Sequence, residues 1–133
     1  MAITQLAKET ARILLVDDEP AVLQVLRQAL LAEGFEVEIA ANGREAVERV
    51  KERLFDLVLT DLIMPEMDGI QTILALRAVD PFLRVIAMSG GIMSGEGDFL
   101  PLARQLGAQA VLSKPFEYGT FMESVRGALC VAA

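Results

Sequence analysis

Short apolar runs alternate with amphipathic segments along the chain. The runs predict five strands, at residues 12–17, 35–40, 56–60, 83–88 and about 109–112. Apolar residues spaced three or four apart predict helices over residues 20–34, 42–53, about 70–79 and 98–107, and a last helix around 121–129. Short apolar strands separated by helices are typical of a parallel sheet that is buried on both faces. We therefore expect an α/β fold, with one doubly wound, five-stranded parallel sheet built from five strand–helix units.

Several residues mark where these elements begin and end. Pro20 suits the first turn of a helix, and Gly34 suits the end of that helix. Asn42 is placed to cap the second helix. The second strand carries charges at alternate positions, which is typical of a strand at the edge of a sheet. Residues 89–97 contain four glycines in nine residues and predict a mobile loop.

The length and hydrophobicity of the chain favour one folded domain. Its 133 residues are enough to bury a core, and an apolar fraction of 53% argues against disorder. We expect an N-terminal arm at residues 1–11, the folded domain at 12–130 and a short tail at 131–133. No apolar stretch approaches the roughly 20 residues that span a bilayer, so we expect no membrane insertion.

The composition indicates the expected cellular location and the kinds of partner that the chain can bind. The single Cys130 cannot form an internal disulfide, and the first residues lack the apolar region of a secretory signal. Both features favour the cytoplasm. A net charge of −7 disfavours direct binding to nucleic acid. The chain contains no histidine, so its chemistry proceeds without an imidazole base, an imidazole ligand or a histidine phosphocarrier of its own.

Polar side chains stand at the ends of four predicted strands. Asp17 and Asp18 end the first strand, and Asp61 ends the third. Ser89 ends the fourth strand, and Lys114 follows the fifth. The carboxyl ends of parallel strands share one edge, which is where α/β sheets bind ligands. The sequence therefore predicts a site that combines three carboxylates, a hydroxyl and an ammonium group.

The chemistry of such a site follows from its charges. Two carboxylates at ~4 Å, in an effective dielectric of ~20, repel by about 4 kcal/mol. A cluster of three therefore takes up a proton or binds a cation. Oxygen ligands without Cys or His favour a hard ion, and Mg²⁺ is the expected one. Ser89 and Lys114 suit the oxygens of a phosphoryl group, and a carboxylate between metal and lysine can accept phosphate as a nucleophile.

Four motifs, in this order, resemble the response-regulator receiver domains of two-component signalling. They are LVDDE at 15–19, DLIMPEMDG at 61–69, SGG at 89–91 and LSKPF at 112–116. The resemblance covers about residues 11–130 and is closest to chemotaxis-regulator-like domains. It implies a flavodoxin-like (βα)5 fold with strand order 2-1-3-4-5. It also implies a signalling switch that catalyses only its own phosphorylation and dephosphorylation, rather than an enzyme that turns over a metabolite.

The same resemblance implies a phosphorelay reaction on one aspartate. Asp61 would be the phospho-acceptor, and its donor would be a sensor histidine kinase or a histidine phosphotransfer protein. Mg²⁺ would be held by Asp17, Asp18, Asp61 and the backbone carbonyl of Ile63.

Ser89 and Lys114 complete the implied site. By resemblance, Ser89 senses the phosphoryl group and Lys114 pairs with it, with a cis bond between Lys114 and Pro115. Two features depart from the family pattern. The position three before the lysine, usually aromatic in the family, is Val111, and the interval from Ser89 to Lys114 is a few residues longer than usual. We therefore expect residues 89–106 to carry most of the conformational change.

Two other functions compete with this interpretation. One is a Mg²⁺-dependent phosphatase or phosphotransferase that forms an aspartyl phosphate. Haloacid-dehalogenase-like enzymes carry an acid two residues after the nucleophile. Two residues after Asp61 stands Ile63, which cannot donate a proton. Asp17 and Glu19 have the right spacing, but the Gly-Thr that should follow Glu19 is absent. The other is an interaction-only module, which is disfavoured because no member of the site is missing.

The C-terminal end of the chain leaves the output open. The chain ends about a helix length after Lys114. This fits a stand-alone regulator that acts on an unknown downstream protein. It equally fits a fragment whose effector domain is missing.

Overall fold

All five predicted strands are present and form one parallel sheet. The computed structural model describes residues 10–62, 69–89, 105, 107–113 and 117–130. The strands are β1 (Arg12–Val16), β2 (Glu36–Ala40), β3 (Leu57–Asp61), β4 (Val85–Ser89) and β5 (Ala110–Ser113). Their order in the sheet is β2-β1-β3-β4-β5, and every neighbouring pair is parallel. The predicted fold class and strand order are confirmed, and β2 is an edge strand as its alternating charges indicated.

Within the described residues, four helices with assigned bounds connect or follow these strands. They are α1 (Pro20–Ala32), α2 (Gly43–Glu52), α3 (Gly69–Val79) and α4 (Tyr118–Cys130). Apart from Ser89, the predicted loop at 89–97 lies outside the described residues. So do nearly all of the predicted helix over 98–107, most of the N-terminal arm at 1–11 and the tail at 131–133. Among the helices that the structure describes, none is both long and apolar enough to cross a membrane.

Local signals in the sequence fix the ends of α1 and α2. Gly34 has a φ of +95°, a left-handed conformation that favours glycine, and its N–H donates to the carbonyl of Leu31 at 3.0 Å. The helix itself ends at Ala32, two residues before the predicted end. Asn42 caps α2 as predicted, because its side chain accepts a hydrogen bond from the N–H of Glu45 at 2.9 Å.

The sheet buries both of its faces, which accounts for the nearly continuous apolar strands. Successive side chains of a strand point to opposite faces. Leu14 and Val16 of β1 therefore join a core cluster with α2 and α3, whereas Ile13 and Leu15 join one with α1 and α4. All four side chains are fully buried. Because helices cover both faces, the carboxyl edge of the sheet remains available for a site.

A polar cluster joins the end of α1 to α4. The Tyr118 hydroxyl donates to Glu33 Oε2 at 2.7 Å, and Arg126 Nη2 donates to Glu33 Oε1 at 2.6 Å. The hydrogen bond from Tyr118, and then the one from Arg126, lower the pKa of Glu33 below its usual value. Donation to Glu33 also raises the pKa of Tyr118 above its usual value, because ionisation would break this bond beside a carboxylate.

The phenol absorbance of Tyr118 should report this contact, because the chain has one tyrosine and no tryptophan. We expect Tyr118 to ionise at higher pH in the folded protein than in the urea-unfolded chain. Glu33→Gln should move the folded midpoint down, towards the ordinary value, since the neighbouring charge is removed. Glu48→Gln, on α2 across the sheet, serves as the control and should leave the midpoint unchanged. Identical midpoints in the folded and unfolded chains would contradict the contact.

Candidate functional site

The carboxyl ends of β1 and β3 are adjacent and bring acidic residues together. These strands pair in parallel, with Val16 opposite Thr60. The residues that follow this pair are Asp17 and Asp61. Asp17 is fully buried and Asp61 is 6% exposed, whereas Asp18, in the turn after β1, is exposed.

The three carboxylates form one cluster. One oxygen from each of Asp17, Asp18 and Asp61 lies within 4.8 Å of the other two. At such distances each pair of charges repels by a few kcal/mol in the effective dielectric near a protein surface. A divalent cation would replace this repulsion with attraction, and an all-oxygen ligand set fits Mg²⁺. The convergence that the strand ends predicted is therefore present.

Backbone contacts orient Asp17. Its N–H donates to the carbonyl of Ala40, the last residue of β2, at 3.2 Å. Its Oδ1 accepts a hydrogen bond from the N–H of Glu19 at 3.0 Å. These contacts hold the turn that leads into α1, where Pro20 takes the first helical position. The Asp17 carboxylate is thus positioned by the sheet and by the first turn after it.

The chain around Asp61 is fixed by neighbouring backbone. The Thr60 hydroxyl donates to the Asp61 carbonyl at 3.0 Å, and Leu62 N–H donates to the carbonyl of Met88 at 2.9 Å. The N–H of Gly69 donates to the Leu62 carbonyl at 2.8 Å. A Cβ on Gly69 would overlap Leu62 and lie 2.5 Å from the carbonyl oxygen of Asp61. Glycine is therefore required here, although the sequence marked this residue only as the end of a turn.

The other predicted site residues are described in part or not at all. Ser89 ends β4 at the same edge of the sheet, one residue after Met88, which is in register with Asp61. The side chain of Ser89 is outside the described part of the chain, as are Ile63 and Lys114 in full.

A doubly wound parallel sheet with a carboxylate cluster at its carboxyl edge defines an α/β ligand-binding domain. The model of the response regulator receiver domain matches residues 13–126. The chain therefore belongs to the response regulator receiver domain family, as the motifs indicated. This family serves as the signalling switch of two-component systems.

Alignments with similar proteins extend over most of this chain. The chemotaxis protein CheY of Bacillus subtilis (strain 168) is 37% identical over 119 residues, covering 89% of this chain and 97% of that protein. The sporulation initiation phosphotransferase F of the same organism is 34% identical, covering 86% of this chain and 90% of that protein. The transcriptional regulatory protein ZraR of Escherichia coli O157:H7 is 36% identical, but only 26% of its length is matched.

Solved structures show the same fold. A response regulator receiver domain protein from Clostridium thermocellum superposes with a TM-score of 0.83 and 30% identity, covering 90% of this chain and 94% of that one. The response regulator TrrA from Thermotoga maritima, solved in complex with Mg²⁺-BeF, superposes with a TM-score of 0.79 and 28% identity. That match covers 90% of this chain and 99% of the TrrA chain.

The close packing around Gly69 predicts that alanine substitutions at two glycines change the stability in opposite directions. Gly69→Ala should destabilise the protein by about 1–3 kcal/mol, because the methyl group overlaps backbone. Gly127→Ala, in the interior of α4 with open space around it, should stabilise by about 0.5–1 kcal/mol. Urea denaturation of both variants would measure this. A Gly69→Ala protein as stable as the parent would contradict the packing.

Repulsion within the cluster predicts the behaviour of an Asp18→Asn variant. In EDTA its stability should equal or exceed that of the parent, because one of three like charges is removed. Mg²⁺ should then stabilise the variant less than the parent, since a ligand that binds the folded state stabilises it in proportion to its affinity. Urea denaturation with and without Mg²⁺ measures both effects. Equal Mg²⁺ stabilisation of parent and variant would refute the role of Asp18.

Proposed function

We propose that this domain is the phospho-acceptor of a two-component phosphorelay and that Asp61 takes the phosphoryl group. The observation that carries the proposal is the cluster of Asp17, Asp18 and Asp61. Within it, Asp61 ends the strand β3 at the middle of the sheet, next to both β1 and β4. A carboxylate in this place faces the cation site on one side and the end of β4 on the other.

The proposed metal is Mg²⁺, with Asp17, Asp18, Asp61 and the backbone carbonyl of Ile63 as its protein ligands. The three converging carboxylates support this assignment, and the magnesium in the TrrA complex, a relative at 28% identity, is consistent with it. Bound there, the cation would neutralise charge on the phosphoryl oxygens during transfer. Backbone contacts hold Asp17 in place, so part of the ligand set is preorganised.

The proposed physiological donor is a phosphohistidine outside the given residues, which contain no histidine. We assign it to a sensor kinase or a histidine phosphotransfer protein. In the transfer, an Asp61 carboxylate oxygen forms the new P–O bond while the P–N bond of the phosphohistidine breaks. The electron pair of that bond stays on the imidazole nitrogen, which then takes up a proton. Hydrolysis of the acyl phosphate by water returns Asp61 and releases phosphate.

Ser89 and Lys114 would bind the transferred group. We assign the Ser89 hydroxyl and the Lys114 ammonium to the phosphoryl oxygens, where charge-assisted hydrogen bonds are worth about 1.5–3 kcal/mol each. The position of Ser89 at the end of β4, beside β3, supports its assignment. The assignment of Lys114 rests on its motif after β5. These bonds would bias the segment that follows Ser89 and so change the surface offered to a partner.

The downstream partner is either a separate protein or an effector domain. The relative ZraR, matched over 26% of its length, shows that such a domain also occurs as part of a longer regulator. CheY, matched over 97% of its length, is itself of about the size of this chain. Output through residues 89–106 stays a prediction, because most of that segment lies outside the described residues.

Asp61→Asn should abolish phosphorylation. With acetyl phosphate and Mg²⁺, the parent protein should gain one phosphoryl group by intact mass, and the variant should gain none. Asp80→Asn is the matched control, because Asp80 lies in the turn between α3 and the start of β4, at the opposite edge of the sheet. Asparagine keeps the oxygen that accepts a hydrogen bond from the N–H of Phe82. That control should be labelled like the parent. Labelling that survives Asp61→Asn unchanged would overturn the assignment.

A further inference from the structure

The edge strand β2 has one side that no other strand covers in the described part of the chain. The sheet order places β2 outside β1. Glu36 N–H donates to the carbonyl of Ala11, and the Ala40 carbonyl accepts from Asp17, so the even-numbered residues face β1. Alternate residues of a strand direct their backbone groups to opposite sides. Val37 and Ile39 therefore direct their N–H and C=O groups outward, as in an edge that can accept another strand.

Two arginines flank this open edge. A groove of about 310 Å³ runs along it, lined by Val37, Glu38 and Ile39 of β2, by Arg27 of α1 and by Arg49 of α2. Each arginine comes from the helix on a different face of the sheet. The groove is therefore a slot between two helices, with the strand edge as its floor.

The charge of the groove is opposite to that of the whole chain. Glu38 is already held by Arg53 at 2.7 Å, and Arg49 lies at 3.8 Å from it. Arg49 Nη2 also approaches the Ile39 carbonyl at 3.4 Å, a long hydrogen bond. Arg27 is exposed and makes no hydrogen bond or ion pair with the residues that the structure describes. On a chain with a net charge of −7, this edge offers cations to an acidic ligand.

The two faces of the slot differ in polarity. On the α1 side, a smaller cleft of about 90 Å³ is lined by Pro20, Leu23, Gln24, Arg27 and Ile39. The floor there is apolar, and Ile39 is 38% exposed. On the α2 side stand Arg49 and two glutamates of β2. Glu36 is paired with Arg12 at 3.2 Å and Glu38 with Arg53 at 2.7 Å. A strand placed in the slot would send alternate side chains to these two faces.

We propose that the open edge of β2 docks an extended segment of a partner protein in which apolar residues alternate with acidic ones. The apolar residues lie against Ile39 and Leu23, and the acidic ones face Arg49, with Arg27 bordering both clefts. Backbone bonds to Val37 and Ile39 supply the strand addition, and the side chains supply the selectivity. The occupant to which we commit is a separate protein. The β2 strand of a second copy has the same alternation of apolar and acidic residues, so self-association is an outcome that the experiment must distinguish.

A synthetic peptide tests the proposal on the full chain. The probe is a seven-residue peptide of alternating valine and glutamate, titrated in EDTA into ¹⁵N-labelled protein. We expect saturable shifts of the Val37 and Ile39 amides and slower hydrogen exchange at both. Arg27→Gln and Arg49→Gln should each weaken binding about two- to fivefold, as for exposed ion pairs. Lys51→Gln removes the same charge from an exposed position of α2 outside the groove, and should leave the affinity unchanged.

Further peptides test the charge preference and the backbone pairing separately. A valine–lysine peptide of the same length should bind at least tenfold more weakly. Two valine–glutamate peptides carry N-methyl groups on alternate amides, one on the odd-numbered and one on the even-numbered residues. The peptide whose methyl groups block the N–H groups that face β2 should lose binding. Equal binding of the lysine peptide, or of both methylated peptides, would overturn the proposal. Protection of Val37 and Ile39 that grows with protein concentration, without peptide, would overturn it in favour of self-association.

Discussion

The mutual repulsion of three carboxylates is the constraint on which the site depends. Asp17 and Asp61 are held together because β1 and β3 are paired through a core that is buried on both faces. Repulsion of a few kcal/mol per pair is a large fraction of the 5–15 kcal/mol that keeps a domain folded. The sheet therefore supplies the free energy that keeps the acids close. The proposed cation and phosphoryl transfer would then act on charges that are already concentrated.

Much of this arrangement could be predicted because it follows from local rules. Strands buried on both faces appear as apolar runs, and parallel strands end at one edge, so the placement of Asp17 and Asp61 at that edge followed from the pattern alone. That their two strands are neighbours followed only from the strand order implied by the family resemblance. The edge position of β2 followed from its alternating glutamates. Element ends were the least accurate part: α1 ends at Ala32 and β5 begins at Ala110, each within two residues of the expectation. Such ends are set by backbone hydrogen bonds that composition does not encode.

Contacts between distant segments could not be predicted. Glu33 is 85 residues from Tyr118 and 93 from Arg126, and no periodicity links them. The requirement for glycine at position 69 arises from its approach to Leu62 and Asp61, which depends on how β3 and α3 are placed. Resemblance to the family motifs supplied roles for Ser89 and Lys114, but motifs give order along the chain and not distance. The groove beside β2 lies outside those motifs altogether.

The acidic site and the open edge are joined by one backbone hydrogen bond. The Asp17 N–H is bonded to the carbonyl of Ala40, so the last residue of β2 helps to position a proposed metal ligand. A partner strand that straightens or twists β2 would shift that carbonyl, and with it the turn that Asp17 begins. Linkage is reciprocal: if such binding changes the Mg²⁺ affinity, Mg²⁺ must change the affinity for the partner by the same factor. The same backbone bond would carry both effects, because it links the last residue of β2 directly to Asp17.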